Sequence, residues 1–204
     1  MAGLGLEARK KALLIDKYKY ALSYMVSNDD FSRWFPNVQN KILKFSQLDD
    51  YKTIYDLLPD TPRDFRIVLT ENQRNQGHWC CILKYPDKKG NSIFEFFDPY
   101  GVKPPNELNF VPKIMNKMLG QDKHDFTHLI PTVRKPDKFF YNRFKFQKLV
   151  EGVNTCGRHT IARLLASQFG YDLQEFIDLV KEKSKETGKP IDVLITDWIE
   201  MPTG

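Results

Sequence analysis

Three separated stretches of this 204-residue chain carry residue types that could work together as nucleophile, base and orienting acid: His78-Trp79, Asp98 and Asn154-Thr155-Cys156-Gly157. A thiolate is a strong nucleophile, an imidazole can take its proton, and a carboxylate can fix that imidazole in one tautomer and stabilise its charged form. Cys156 stands where helical periodicity begins, so it is expected at a helix N-terminus, where the positive end of the dipole favours the thiolate. The first N–H groups of a helix lack intrahelical acceptors, so the Cys156 N–H can donate to an oxyanion. Gly157 keeps that backbone accessible. A second donor is needed. Gln147, at the end of the preceding strand, is the candidate, and Asn154 is the substitute.

Taken singly, these residues have plainer readings. A histidine on an apolar strand is ordinarily structural, and a buried cysteine is ordinarily a small hydrophobe. Their combination, in this order and with a helix-start thiol, is what points to catalysis. Cys80 and Cys81 read as core residues of a buried strand. His159, three residues after Cys156, can face the same side of the helix and is a rival base, although no carboxylate partner is evident. His124 and His128 read as surface or strand-edge residues. Asp172, Glu175 and Asp178 suit the start of a helix and are given no catalytic role. A metal reading would join His78 and Cys80, which share a strand face, with Cys156, but no knuckle or helical ligand pair supports it.

The elements that must position these groups follow from periodicity. Apolar positions from Glu7 to Met25 predict an amphipathic helix, and Asp29-Asp30 caps a short segment that Pro36 stops. Val38–Phe45 and Tyr51–Leu58 read as two further helical pieces, which makes residues 1–60 an N-terminal helical lobe. Residues 61–204 then form the core. Phe65–Thr70, Gly77–Tyr85 and Ser92–Asp98 read as strands, the central two being nearly continuous apolar runs that suit burial on both faces. Val111–Leu119 is a helix, Thr127–Val133 and Phe139–Phe146 are two more strands, and Thr155–Phe169 and Leu173–Lys185 are helices. The result is an α+β protein with a mostly antiparallel sheet packed on the Cys156 helix. Pairing Tyr85 with Ser92 across the 86–91 turn places His78 opposite Pro99, with Asp98 one position away, and a one-residue slip would pair His78 with Asp98 directly. Either register brings imidazole and carboxylate to the same end of one hairpin.

The order His78-Trp79, Asp98, Gln147, Cys156-Gly157 resembles the cysteine proteases typified by the adenovirus maturation protease and the ubiquitin-like-protein proteases. The VNTCGRH stretch, with FQ upstream, is similar to versions in large DNA viruses and virophages. The resemblance covers about Phe65 to Phe169. It implies His78 as base, Asp98 as its orienting acid, Gln147 in the oxyanion hole and Cys156 as nucleophile, with no cofactor. It also implies a viral maturation endopeptidase that cleaves capsid or core precursors after glycine or another small residue. Such an enzyme would act in the host cytoplasm or viral factory and travel in the virion. The rivals are a deconjugating protease for ubiquitin-like modifiers and an inactive DNA-binding or structural protein on the same fold.

The net charge is +5, a modest excess that permits a polyanionic partner without requiring one. Its densest stretch holds Arg134, Lys135, Lys138, Arg143, Lys145 and Lys148, interleaved with Phe139, Phe140, Tyr141, Phe144 and Phe146. Such a segment can grip a phosphate backbone and stack on bases, or it can be a strand with a buried aromatic face and a solvated lysine face. No run of eighteen apolar residues exists, so no membrane span is expected. Three cysteines, two of them adjacent, suit a reducing intracellular compartment. A monomer is expected.

Overall fold

A computed structural model describes residues 13, 15–104, 108–109, 111–122 and 126–202. His124 and the start of the helix expected from Glu7 lie outside the described residues; helix α1 is described over residues 15–23. The β-branched and aromatic runs form β2 (Asp64–Gln73), β3 (Gln76–Pro86) and β4 (Ser92–Phe97). With β1 (Ile42–Lys44) and β5 (Lys138–Tyr141) they make a five-stranded sheet in the order β1-β2-β3-β4-β5. The two long central pairings are antiparallel, and each edge strand joins in parallel. The fold is α+β.

The continuous apolar strands are buried on both faces, and their alternation separates two cores. Ile67, Leu69, Cys81, Leu83 and Phe97 face one core, which α5 (Cys156–Gln168), α6 (Leu173–Thr187) and α7 (Ile191–Trp198) cover with Ile161, Phe176 and Ile195. Val68, Cys80, Ile82, Phe94 and Phe96 face the other, closed by Leu48, Phe126, Leu129 and the single-turn α3 (Ile54–Leu57). Helix α5 is buried around most of its circumference, as a central helix must be. Gly170, at φ +96°, ends the turn beyond it, a left-handed conformation that glycine adopts without penalty.

The sequence reading is corrected at several elements. Val38–Phe45 is helical only in its first half: a 3₁₀ helix at Val38–Lys41 gives way to β1, which pairs with β2 through Ile42 opposite Ile67. A short apolar run does not distinguish helix from strand by periodicity, and here the open edge of β2 decided it. The first sixty residues therefore contribute a strand to the sheet, as well as α2 (Asn28–Trp34), whose Phe31 lies in the α5-side core. Thr127–Val133 is not a strand. It forms two 3₁₀ turns around Pro131, which has no N–H to give a ladder, and Thr132 Oγ1 accepts from the Ile54 backbone N–H at 2.9 Å. The strand expected over Phe139–Phe146 stops at Tyr141. Helix α7 (Ile191–Trp198) lies beyond the last element that periodicity predicts. Helix α4 (Lys113–Met118) lies within its expected span.

Candidate active site

The β3–β4 register differs from that expected. Tyr85 pairs with Ile93 and Pro86 with Ser92, because Asp87 organises a five-residue turn. Its Oδ1 accepts from the Lys89 and Asn91 backbone N–H groups, and Gly90 takes φ +84°. Extrapolated from Cys81 opposite Phe97, this register sets Tyr100, not Pro99 or Asp98, across from His78. The two rings stack, with centroids 4.5 Å apart and an interplanar angle of 20°.

Asp98 still reaches the histidine because the chain leaves the ladder in a tight turn, Asp98-Pro99-Tyr100-Gly101. Gly101 N–H donates to Asp98 C=O at 2.8 Å, and Tyr100 N–H donates to Asp98 Oδ1 at 2.7 Å. Gly101 has φ +70°, and a Cβ there would lie 2.9 Å from the carbonyl oxygens of Arg143 and Phe144. Asn142, which the sequence reading missed, stands in for a strand neighbour: its side chain accepts from Asp98 N–H and donates to Asp98 C=O. Asp98 is fully buried, and its Oδ1 lies 3.1 Å from His78 Nε2. The same turn anchors Gln147, since Pro99 C=O accepts from both Phe146 N–H and Gln147 N–H at 2.9 Å.

Cys156 is the first residue of α5 and is 9% exposed. His78 Nδ1 is buried without a hydrogen-bond partner. Burial disfavours the charged ring, but Asp98 and then Cys156 outweigh it and push the His78 pKa up to about 10. At neutral pH the charged form of the ring is therefore favoured. A folded-state pKa above the unfolded value of about 6.5 contributes stability that is complete below that pH and is lost as pH rises toward 10. The stability difference between the wild-type chain and His78→Gln, measured by urea unfolding, should therefore shrink between pH 6.5 and 10. A difference that does not change over that window would contradict the charged ring.

The nearby amides are held in place. Gln147 is buried, its Nε2 donates to Val153 C=O at 2.9 Å, and its Oε1 has no partner. Asn154 Nδ2 donates to Ser23 C=O at 2.9 Å, and its backbone N–H to Leu22 C=O at 2.7 Å. Both residues line the groove that holds His78 and Cys156, a space of about 1460 Å³. One wall of it is the α1–α2 connection, which together with the end of α1 is gripped by residues beside His78 and Cys156. Arg158 donates to Ala21 C=O and Trp79 Nε1 to Val26 C=O, and a Cβ on Gly157 would meet the Val26 side chain at 2.4 Å. Trp79 is thus pinned below this wall, edge-on to Phe31. The ring covering His78 is Tyr100.

The rival residues lie elsewhere. His159 does have a carboxylate partner, contrary to the sequence reading: its Nε2 lies 3.2 Å from Asp192 Oδ1. Burial lowers its pKa, Asp192 opposes that, and the charge of His78 adds to the lowering. The two histidines are thus driven to opposite charge states. His128 is exposed, beside Tyr51 C=O. Asp172 caps α6 reciprocally with Glu175, and Asp178 accepts from Gln174. Cys81 is buried in the α5-side core, and burial pushes its thiol pKa up. Among the described residues, the group that could offer ligand atoms to a metal is His78, Cys80 and Asp98, within 4.8 Å of one another. Cys156 is not in that group.

A protein of Sputnik virophage named "Uncharacterized protein V9" is 33% identical to this chain over 179 residues, spanning 87% of this chain and 97% of that one. This chain belongs to the family of virophage protein V9. No profile of a known protein family matches it. Among solved structures, the African swine fever virus (ASFV) pS273R protease superposes with a TM-score of 0.43 at 14% identity, covering 76% of this chain. The chain spans 62% of that protease's length. The central domain of Lpg1148 from Legionella pneumophila superposes at 0.38 and 16% identity, covering 86% of this chain and 97% of that domain.

Proposed function

We propose that this V9-family chain is a cysteine endopeptidase that cleaves viral capsid or core precursors after glycine or another small residue during virion maturation. The observation that carries the reading is the His78–Asp98 contact of 3.1 Å beside a thiol at a helix N-terminus. As a thiolate, Cys156 attacks the scissile carbonyl carbon and forms a C–S bond. The oxyanion is held by the Cys156 N–H and a Gln147 Nε2 hydrogen. The His78 imidazolium donates its proton to the leaving amine as the C–N bond breaks. Water, deprotonated by the now neutral ring, then attacks the thioester and releases the acid. The steps balance with side chains and water alone. The enzyme would act in infected cells and be carried in the virion.

The test is a pair of measurements on the full chain. Extended peptides with glycine before the scissile bond should be cleaved, and a peptide aldehyde should block labelling of Cys156 ahead of Cys80 and Cys81. Equal reactivity of the three thiols without cleavage would overturn the reading. Cleavage confined to folded modifier fusions would instead favour a deconjugating protease.

The reading extends to DNA. Arg134, Lys135, Lys138, Arg143, Lys145 and Lys148 are all exposed; Lys138 is near enough to Asp87 to lower its pKa, and the Lys148 backbone N–H donates to Asp192. The aromatics divide: Phe146 is buried in one core, Phe139 packs on the other, and Phe140 stays 47% exposed. Base stacking therefore rests mainly on Phe140, and phosphate contact carries the binding. If about four of these cations neutralise phosphates, log affinity falls against log salt with a slope of roughly −3.6. In fluorescence anisotropy with a labelled duplex, alanine at Lys138, Arg143 and Lys145 should weaken binding and flatten that slope. Unchanged affinity in the triple variant would reduce the segment to a solvated strand face.

A further inference from the structure

Helix α7 carries a carboxylate that no step above uses, yet it touches both ends of the loop holding the oxyanion donors. Asp192 is buried. Its Oδ2 accepts from the backbone N–H of Lys148 at 3.0 Å, directly after Gln147. Its Oδ1 accepts from Thr155 Oγ1 at 2.6 Å, directly before Cys156, and lies 3.2 Å from His159 Nε2 one helical turn further on. The loop between these anchors exposes Leu149 and Val150; its second half is also tied through Val153 C=O and Asn154, and Asp192 adds a hold at each end.

The Thr155 contact has a second consequence. Thr155 occupies the N-cap of α5, where a threonine hydroxyl ordinarily accepts from a first-turn N–H. Here it makes no such bond, and its backbone, at φ −88° and ψ 3°, is not in the extended conformation of a capping residue. Asp192 draws the hydroxyl away, so the first-turn N–H groups stay open beside the Cys156 sulfur.

Resting on the endopeptidase reading, we infer that Asp192 is a positioning residue that sets the oxyanion hole: it pins the Gln147 loop at both ends and keeps the N-terminus of α5 uncapped. It touches neither substrate nor the reacting atoms. Asp192→Asn tests this, because an amide cannot accept from Lys148 N–H, Thr155 Oγ1 and His159 together. Its Nδ2 would set a donor against one of those donors.

Four readouts on the full chain separate the possibilities. Asp192→Asn should lower kcat by about 100-fold, the loss that follows removal of one oxyanion donor, while KM stays within about twofold. The Ki of a peptide aldehyde, whose adduct carries the oxyanion, should rise by a similar factor. Alkylation of Cys156 by iodoacetamide needs no oxyanion and should stay near the wild-type rate. Hydrogen exchange of residues 148–155 should accelerate. Thr155→Val, which leaves the Lys148 anchor intact, should show a smaller loss of the same pattern if the first variant folds poorly. Wild-type kcat, aldehyde affinity and loop exchange in Asp192→Asn would overturn the inference, as would a uniform fall in all activities tracking lost folded protein. An inactive wild-type chain whose loop nonetheless loosens in Asp192→Asn would sink the endopeptidase reading and leave the clamp standing.

Discussion

Cys156→Ser and His78→Ala are each expected to lower peptide turnover by roughly 10⁴-fold or more with the fold preserved, as for members of a catalytic unit that act together. The expectation rests on geometry and charge. The His78 ring is held between the Asp98 carboxylate at 3.1 Å and the stacked face of Tyr100, and both Asp98 and Cys156 favour its proton. On the endopeptidase reading, loss of the imidazole removes the proton source for the leaving amine. Asp98→Asn should be milder than either. Its amide oxygen can still accept from Tyr100 N–H and hold the ring, but the negative charge that raises the His78 pKa is gone. Initial rates on one peptide, with circular dichroism as the control for folding, decide the matter. Full activity in His78→Ala would pass the role of base to His159, whose buried, uncharged ring faces Asp192 instead.

The second large effect concerns stability. Beneath α5, Arg163 and Glu95 are both fully buried and joined by two parallel bonds, Nη2 to Oε2 at 2.7 Å and Nε to Oε1 at 2.8 Å. Tyr85 OH adds a third bond, to Glu95 Oε2 at 2.6 Å. Desolvating two charges is costly, so the pair as a whole need not stabilise the fold relative to apolar residues. Breaking it is another matter. Glu95→Ala leaves the guanidinium buried without a counter-ion and should cost about 3–5 kcal/mol in urea unfolding. Replacing the pair together with the phenol that binds it, as in Glu95→Leu, Arg163→Met and Tyr85→Phe, should recover most of that loss. A cost below about 1 kcal/mol for Glu95→Ala would mean that water reaches the guanidinium. Because α5 begins with Cys156, the single variant should also lose activity in step with its folded fraction.

Much of this protein is determined locally. The runs Phe65–Thr70, Gly77–Tyr85 and Ser92–Asp98 are rich enough in β-branched and aromatic residues to be strands in almost any context, and their lack of polar alternation already requires a cover on each face. Cys156-Gly157 before a long periodic run sets a thiol at a helix start. The Asp98-Pro99-Tyr100-Gly101 turn is written in its residue types. What tertiary structure decided were matters of a single position or of distant partners. The register of β3 on β4 depended on how Asp87 folds its own turn, and the resulting one-residue shift brought Tyr100 onto the His78 ring. Ile42–Lys44 became a strand because β2 offered an edge. The strand from Lys138 ended at Tyr141, where Asn142 was claimed by Asp98. The carboxylate of His159 came from Asp192, thirty-three residues further along the chain, on a helix whose short apolar run gave no warning. Local propensity reports how a segment prefers to bend. Which groups meet across the core is set by packing and by the requirement that each buried donor and acceptor find a partner.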